Sequence, residues 1–201
     1  MPSIYDLKPA FQGLLRPITA TLVRAGVTAN QVTVAAVLLS LLVGGSIWLW
    51  SASRWPLLAL PASLFLRMAL NAVDGMIARE HDQKSSLGAI LNELGDVVSD
   101  AALYLPLALV PGFPPALVVT AVVLAGLTET AGVVAVQIGA SRRYDGPMGK
   151  SDRAFVFGAL GLALGLGAPR GRWIDAVLAV VVVLLAVTVV QRARRALGEL
   201  A

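Results

Sequence analysis

Three aspartates, Asp74, Asp96 and Asp100, stand with Asn71, Asn92 and Glu93 inside residues 71–100, where one long apolar segment ends and another begins. Each Asp near the middle of a spanning helix costs roughly 2.5 to 3.5 kcal/mol, so three unpaired carboxylates together cost on the order of 10 kcal/mol. Something must compensate that charge. Asn71 and Asp74 are three apart, and Gly88, Asn92, Asp96 and Asp100 follow one another in steps of four, so on a helix each set lies on one face. Two such helices crossing here turn a cluster of oxygen donors toward each other, and a hard divalent cation is their natural partner. Gly75, Ala78 and Gly88 leave room for a ligand or a neighbouring backbone, and Arg79 offers a fork of donors that suits a phosphate. Metal, small residues and arginine together point to a phosphate ester.

The elements that must hold these residues are membrane helices. Of 201 residues 57% are hydrophobic and 14% charged, with a mean hydropathy of +0.79, whereas soluble domains carry roughly 25% charged residues. This excludes a soluble domain and implies a polytopic membrane protein. The chain has no cysteine, which rules out a disulfide framework or a thiolate metal site. Its formal charge of +4 and pI near 10.0 come from basic residues placed between apolar segments. Anionic lipid headgroups, not nucleic acid, are the expected partner. The first 25 residues lack a continuous apolar core, so no cleavable signal peptide is expected, and without an internal repeat the chain reads as one domain.

The expected fold is an all-α integral membrane protein of six transmembrane helices preceded by an amphipathic interfacial helix: a surface segment over 1–26, a six-helix bundle over 27–191 and a basic tail over 192–201. Pro9 and Pro17 are expected to interrupt any single long helix in the first segment. The spans are placed at 28–50, 56–78, 86–108, 115–139, 154–168 and 173–190, with Thr28 as an N-cap and Trp48, Trp50 and Trp173 at interfaces. Arg67 falls within the second span and should face the bundle interior, where either Glu129 or a substrate is its partner. His81, the only histidine, reads as a loop residue beside Asp82. The segment ASRRYDGPMGKSDRAF, residues 140–155, brings Arg142, Arg143, Lys150 and Arg153 to the start of the fifth span. Part of that charge fits a positive-inside loop, while Lys150 and Arg153, three apart at a helix mouth, can project into the cavity of the carboxylates. Counting Lys and Arg in the connections places both termini and the 71–100 turn on the cytoplasmic side, in a plasma membrane of bacterial type.

The stretch from Asn71 to Asp96 resembles the signature of the CDP-alcohol phosphotransferases, Asp-x2-Asp-Gly-x2-Ala-Arg-x8-Gly-x3-Asp-x3-Asp, matched by Asn71, Asp74, Gly75, Ala78, Arg79, Gly88, Asn92 and Asp96 with the spacing kept throughout. Two of the four aspartates of the signature are therefore asparagines. TANQVT, residues 28–33, resembles the Pro-Asn-x2-Thr element of the family with Ala29 in place of proline. The resemblance implies transfer of a phosphatidyl group from CDP-diacylglycerol to a polar alcohol with release of CMP. By the same resemblance Mg²⁺ or Mn²⁺ is held by Asp74, Asp96 and the amides Asn71 and Asn92. Asp96 is then the base, and Asn30, Thr33, Asp74, Gly75, Ala78, Arg79 and Gly88 surround the nucleotide. Arg142, Lys150 and Arg153 would take the phosphate of acceptor or donor, and homodimerisation is expected on family grounds alone. Asn30 and Thr33 fit a helix cap equally well. The missing two charges leave three outcomes open: a single metal, a second metal completed by Asp100, or loss of activity. A transferase using a soluble CDP-alcohol and diacylglycerol, a non-catalytic CDP-lipid-binding protein and an ion-coupled transporter are the competing functions. The basic loop favours an acceptor that carries phosphate, such as glycerol 3-phosphate or an inositol phosphate, with serine or another polar alcohol fitting nearly as well.

Overall fold

The computed structural model describes residues 4–200, with side chains described from Phe11 onward. The described residues form seven α-helices and no strand: α1 (Ile4–Arg24), α2 (Ala29–Leu49), α3 (Trp55–Glu80), α4 (Ser86–Tyr104), α5 (Pro115–Gln137), α6 (Lys150–Gly165) and α7 (Arg172–Leu200). Of these, α2, α3, α5 and α7 are long and apolar enough to cross a membrane. The expected third and fifth spans do not meet that measure. Glu93, Asp96 and Asp100 load α4 with charge, and α6 has only 16 residues.

Two helix starts follow local chemistry. Thr28 caps α2 in a reciprocal box with Gln31, accepting from the Gln31 amide at 3.3 Å while the Gln31 side chain accepts from the Thr28 amide at 2.9 Å. Ser85 caps α4 by accepting from the Gly88 amide at 3.0 Å.

Three expectations need correction. Pro9 and Pro17 do not break the first segment, since α1 runs unbroken from Ile4 to Arg24. The carbonyl that Pro17 leaves without a donor belongs to Gly13, and both residues lie on the exposed face of α1, away from α3. The last residues are not a separate tail but the final turns of α7. The α-helix of the third segment also stops at Tyr104, and Leu105–Leu109 tightens into a 3₁₀ turn around Pro106.

Prolines also create the closest helix contacts. Pro106 cannot donate to the carbonyl of Ala102, and α2 presses Gly44 against that oxygen so closely that a Cβ on Gly44 would stand 1.8 Å from it. Pro61 likewise frees the carbonyl of Leu57, and a Cβ on Gly161 of α6 would meet that oxygen at 3.0 Å. In both places the glycine lets a second helix approach the carbonyl to which the proline cannot donate. The packing that results sets α2 against α3 and α4, α3 against α6, and α5 against α7. A large apolar core, including Leu60, Leu103, Phe157, Leu178 and Leu185, fills one half of the bundle. A smaller cluster of Leu15, Val32, Val73, Met76 and Ile77 docks α1 onto α3, with Arg16 pinned to Glu80 at 3.0 Å. The charged residues lie between these two apolar zones.

Candidate active site

Helices α3 and α4 bring the two halves of the polar stretch together. Asn71 of α3 donates from Nδ2 to Asp96 Oδ1 of α4 at 3.0 Å. A carboxylate at position 71 would repel Asp96, whereas the amide tethers it. Lys150, at the first turn of α6, donates to Asp96 Oδ2, and Arg67 Nη2 reaches Asp96 Oδ1 at 3.2 Å. Asp74 is buried and accepts from Thr33 Oγ1 of α2 at 2.7 Å. The same hydroxyl lies 3.1 Å from the carbonyl of Ala29, so its single proton is shared between the start of α2 and the carboxylate on α3.

The small residues do what their size suggests. A Cβ on Gly75 would lie 3.0 Å from both terminal nitrogens of Arg79, whose guanidinium folds back over that glycine. A Cβ on Gly88 would lie 2.8 Å from Asn30 Oδ1, which places the Asn30 amide over the first turn of α4. Ala29, standing where the family pattern has proline, keeps an amide N–H that donates to Gln83 at 3.0 Å. Gln83 therefore ties the α3–α4 turn to the start of α2. Ala78 is half-buried beside this turn, while Asn92 is exposed on α4.

Beneath Asp96 lies a layer of ion pairs. Asp100 is buried between Arg67 Nη1 at 2.6 Å and Arg153 at 2.9 Å. Arg153 extends to Glu129 of α5 at 2.9 Å and to Thr128 Oγ1 at 3.1 Å. Glu129 also meets Arg142 at 3.3 Å and Arg192 of α7 at 3.5 Å, and Arg142 forks onto Glu93 at 2.6 and 2.9 Å. The expected pairing of Arg67 with Glu129 is thus replaced: Arg67 goes to Asp96 and Asp100 of α4, and Arg153 of α6 takes Glu129. Outside this layer Arg143 joins Asp145 at 2.7 Å and Glu199 at 2.6 Å, and the Arg143 guanidinium holds the Asp145 carboxyl below its ordinary value.

Several of these partners escape a reading of motifs alone. Arg192 looks like part of a basic tail, yet it is 2% exposed. The signal is present in the buried stripe Leu178, Val181, Leu185, Thr188, Arg192 and Ala196, which advances in helical steps of three and four. Glu93 stands about 100° around α4 from the aspartate face and serves Arg142 instead.

The model of the CDP-alcohol phosphatidyltransferase family matches residues 26–194, nearly all of this architecture. The chain belongs to that family. It is a membrane transferase of phospholipid biosynthesis. The inner membrane protein YnbA of Escherichia coli (strain K12), a relative of this family member, is 46% identical over 195 residues, covering 97% of this chain and 96% of its own. The fold is also that of Mycobacterium tuberculosis phosphatidylinositol phosphate synthase (PgsA1). Its crystal structure with CDP-DAG bound matches at a TM-score of 0.75 and 21% identity, over 90% of this chain and 92% of that one. Its complex with manganese and citrate matches at 0.75 and 21%, over 90% and 87%.

Proposed function

We propose that this chain transfers a phosphatidyl group from CDP-diacylglycerol to the hydroxyl of a polar alcohol, with release of CMP. The observation that carries the reading is the convergence on Asp96: Arg67 and Asn71 of α3 and Lys150 of α6 each direct a polar side chain to that carboxylate of α4, which is the last acid of the family signature. Arg79, Gly75 and Gly88, with Asn30 and Thr33 above them, form the side of the site suited to a nucleotide diphosphate.

In this reading Asp96 takes the proton of the acceptor hydroxyl as the alcohol oxygen bonds to the phosphorus that bears diacylglycerol. The bond from that phosphorus to the bridging oxygen breaks, and CMP leaves with the electron pair. Lys150 and Arg67 hold the Asp96 carboxylate in place from two sides. Asn71 fixes its orientation. Asp74 and Asp96, with the amide oxygens of Asn71 and Asn92, are the oxygen donors that would hold Mg²⁺ or Mn²⁺. When bound, such an ion neutralises diphosphate charge and polarises phosphorus. Asp100 serves as counter-ion to Arg67 and Arg153 and leaves metal binding to the residues above it.

The membrane arrangement we propose has α4 and α6 completing six spans, their charges turned inward onto the ion-pair layer. The exposed Leu14 and Ile18 beside Arg16 and Arg24 lay α1 on the cytoplasmic surface. Both termini and the site face the cytoplasm by the distribution of Lys and Arg.

Detergent-purified protein given CDP-diacylglycerol, Mg²⁺ and an acceptor alcohol is expected to release CMP only while the ion is present, and release stops on adding a chelator and resumes with excess Mg²⁺. Release that ignores both acceptor and chelator would sink the reading.

A further inference from the structure

Apart from Arg79, which the reading above gives to the diphosphate of the donor, the arginines around the site are engaged by this chain's own oxygens, and that limits what the second substrate can carry. Arg142 uses all three of its nitrogens. Nε and Nη2 fork onto Glu93, Nη2 also reaches Glu129, and Nη1 donates to the carbonyls of Glu129 and Arg143 at 3.4 and 3.3 Å. Arg142 is wedged against α5, where a Cβ on Gly132 would lie 1.6 Å from Nη1. Arg153 is fully enclosed and divides its nitrogens among Asp100, Thr128 and Glu129. Arg67 is taken by Asp96 and Asp100, and Arg192 by Glu129 and the carbonyls of Asp145 and Thr128. Lys150 keeps some exposure, but its ammonium is on Asp96.

A phosphate monoester carries nearly two negative charges at neutral pH and is held best by forked arginine donors. To bind beside Asp96 it would have to expel Glu93 or Glu129 from Arg142 and leave that carboxylate unpaired near a new dianion, which is costly where water is scarce. A hydroxyl compound without phosphate meets no such conflict. Glu93, a third exposed on its side chain, can accept from a hydroxyl or ammonium group, and Lys150 can donate to a hydroxyl oxygen. Resting on the transferase reading above, we infer that the acceptor is a small alcohol lacking phosphate, a polyol or an amino alcohol, and that Glu93 and Glu129 exclude phosphorylated alcohols by occupying Arg142. This reverses the expectation drawn from the basic loop, whose arginines are neutralised on folding.

The experiment compares glycerol, inositol, serine and ethanolamine with glycerol 3-phosphate and inositol 1-phosphate in CMP release from CDP-diacylglycerol. The best unphosphorylated acceptor is expected to exceed its phosphorylated counterpart in kcat/KM by at least ~10-fold. The opposite preference overturns the inference and leaves the transferase reading standing. A binding arm is independent of turnover: radiolabelled glycerol 3-phosphate is titrated onto protein saturated with CDP-diacylglycerol. Wild type is expected to bind it no more tightly than millimolar, whereas Glu93→Gln, which weakens the hold on Arg142, gains at least ~10-fold in affinity. Glu129→Gln is expected to move the same way. Saturable sub-millimolar binding by wild type, or no gain in either variant, overturns the inference. Absence of CMP with every acceptor removes the transferase reading and the inference with it, and the binding arm then shows whether phosphate is nonetheless excluded.

Discussion

Asp96→Asn is expected to lower acceptor-dependent CMP release by on the order of 10²- to 10⁴-fold, the span usually lost with a general base. The substitution keeps the shape of the side chain and removes its charge and its ability to take a proton. The fold should survive, because Arg67 retains Asp100 at 2.6 Å and Asn71 retains an oxygen to which it can donate. Binding of CDP-diacylglycerol should therefore persist, and kcat should fall far more than the affinity for the lipid. Turnover within about twofold of wild type would place the base elsewhere. Asp74, held by Thr33 on the neighbouring helix face, would be the next residue to test.

Arg153→Met is expected to act on stability. Arg153 is 0% exposed and bridges Asp100 of α4 to Glu129 of α5. Removing one member of a buried ion-pair layer leaves its carboxylates uncompensated, at a cost of about 3 to 5 kcal/mol. For a chain of this size that lowers the thermal midpoint by on the order of 10 °C, measured as loss of helical signal in detergent. Adding Glu129→Gln to the Met variant should recover part of the loss, since it removes one of the stranded charges. Arg192 and Arg142 would then lose a shared partner, so recovery should be incomplete. A midpoint unchanged in the single variant would mean that the layer contributes little and that apolar packing alone holds α4, α5 and α6.

The chemistry was the most legible part of the sequence because it is written in helical spacing. Steps of three and four bring Asn71 and Asp96 into contact across two helices, and the residues flanking Gly88 supply their own cap. Spacing says nothing about which opposite charge an arginine will find. Arg67 and Glu129 are both isolated charges in apolar segments, and only the tertiary arrangement gives Arg67 to Asp100 and Glu129 to Arg153. The loop from 140 to 149 shows the same limit: its arginines suggest an anion site until Glu93 and Glu199 arrive from distant helices and join Asp145 of the loop itself in pairing Arg142 and Arg143. The prolines misled for a related reason. The local effect of Pro17, one carbonyl without a donor, is real, but that carbonyl belongs to Gly13 on the exposed face of α1 and the helix continues through it.

The measurement that tests the central claim most directly is the identity of the lipid product. Purified protein in CDP-diacylglycerol-containing vesicles, supplied with Mg²⁺ and the acceptor panel, is analysed by mass spectrometry for new phospholipid alongside CMP. The account predicts one molecule of phosphatidyl-alcohol for each CMP, with the headgroup of an unphosphorylated acceptor. CMP accompanied by phosphatidic acid alone, or CDP-diacylglycerol left intact by protein that binds it, would contradict group transfer to an alcohol at Asp96.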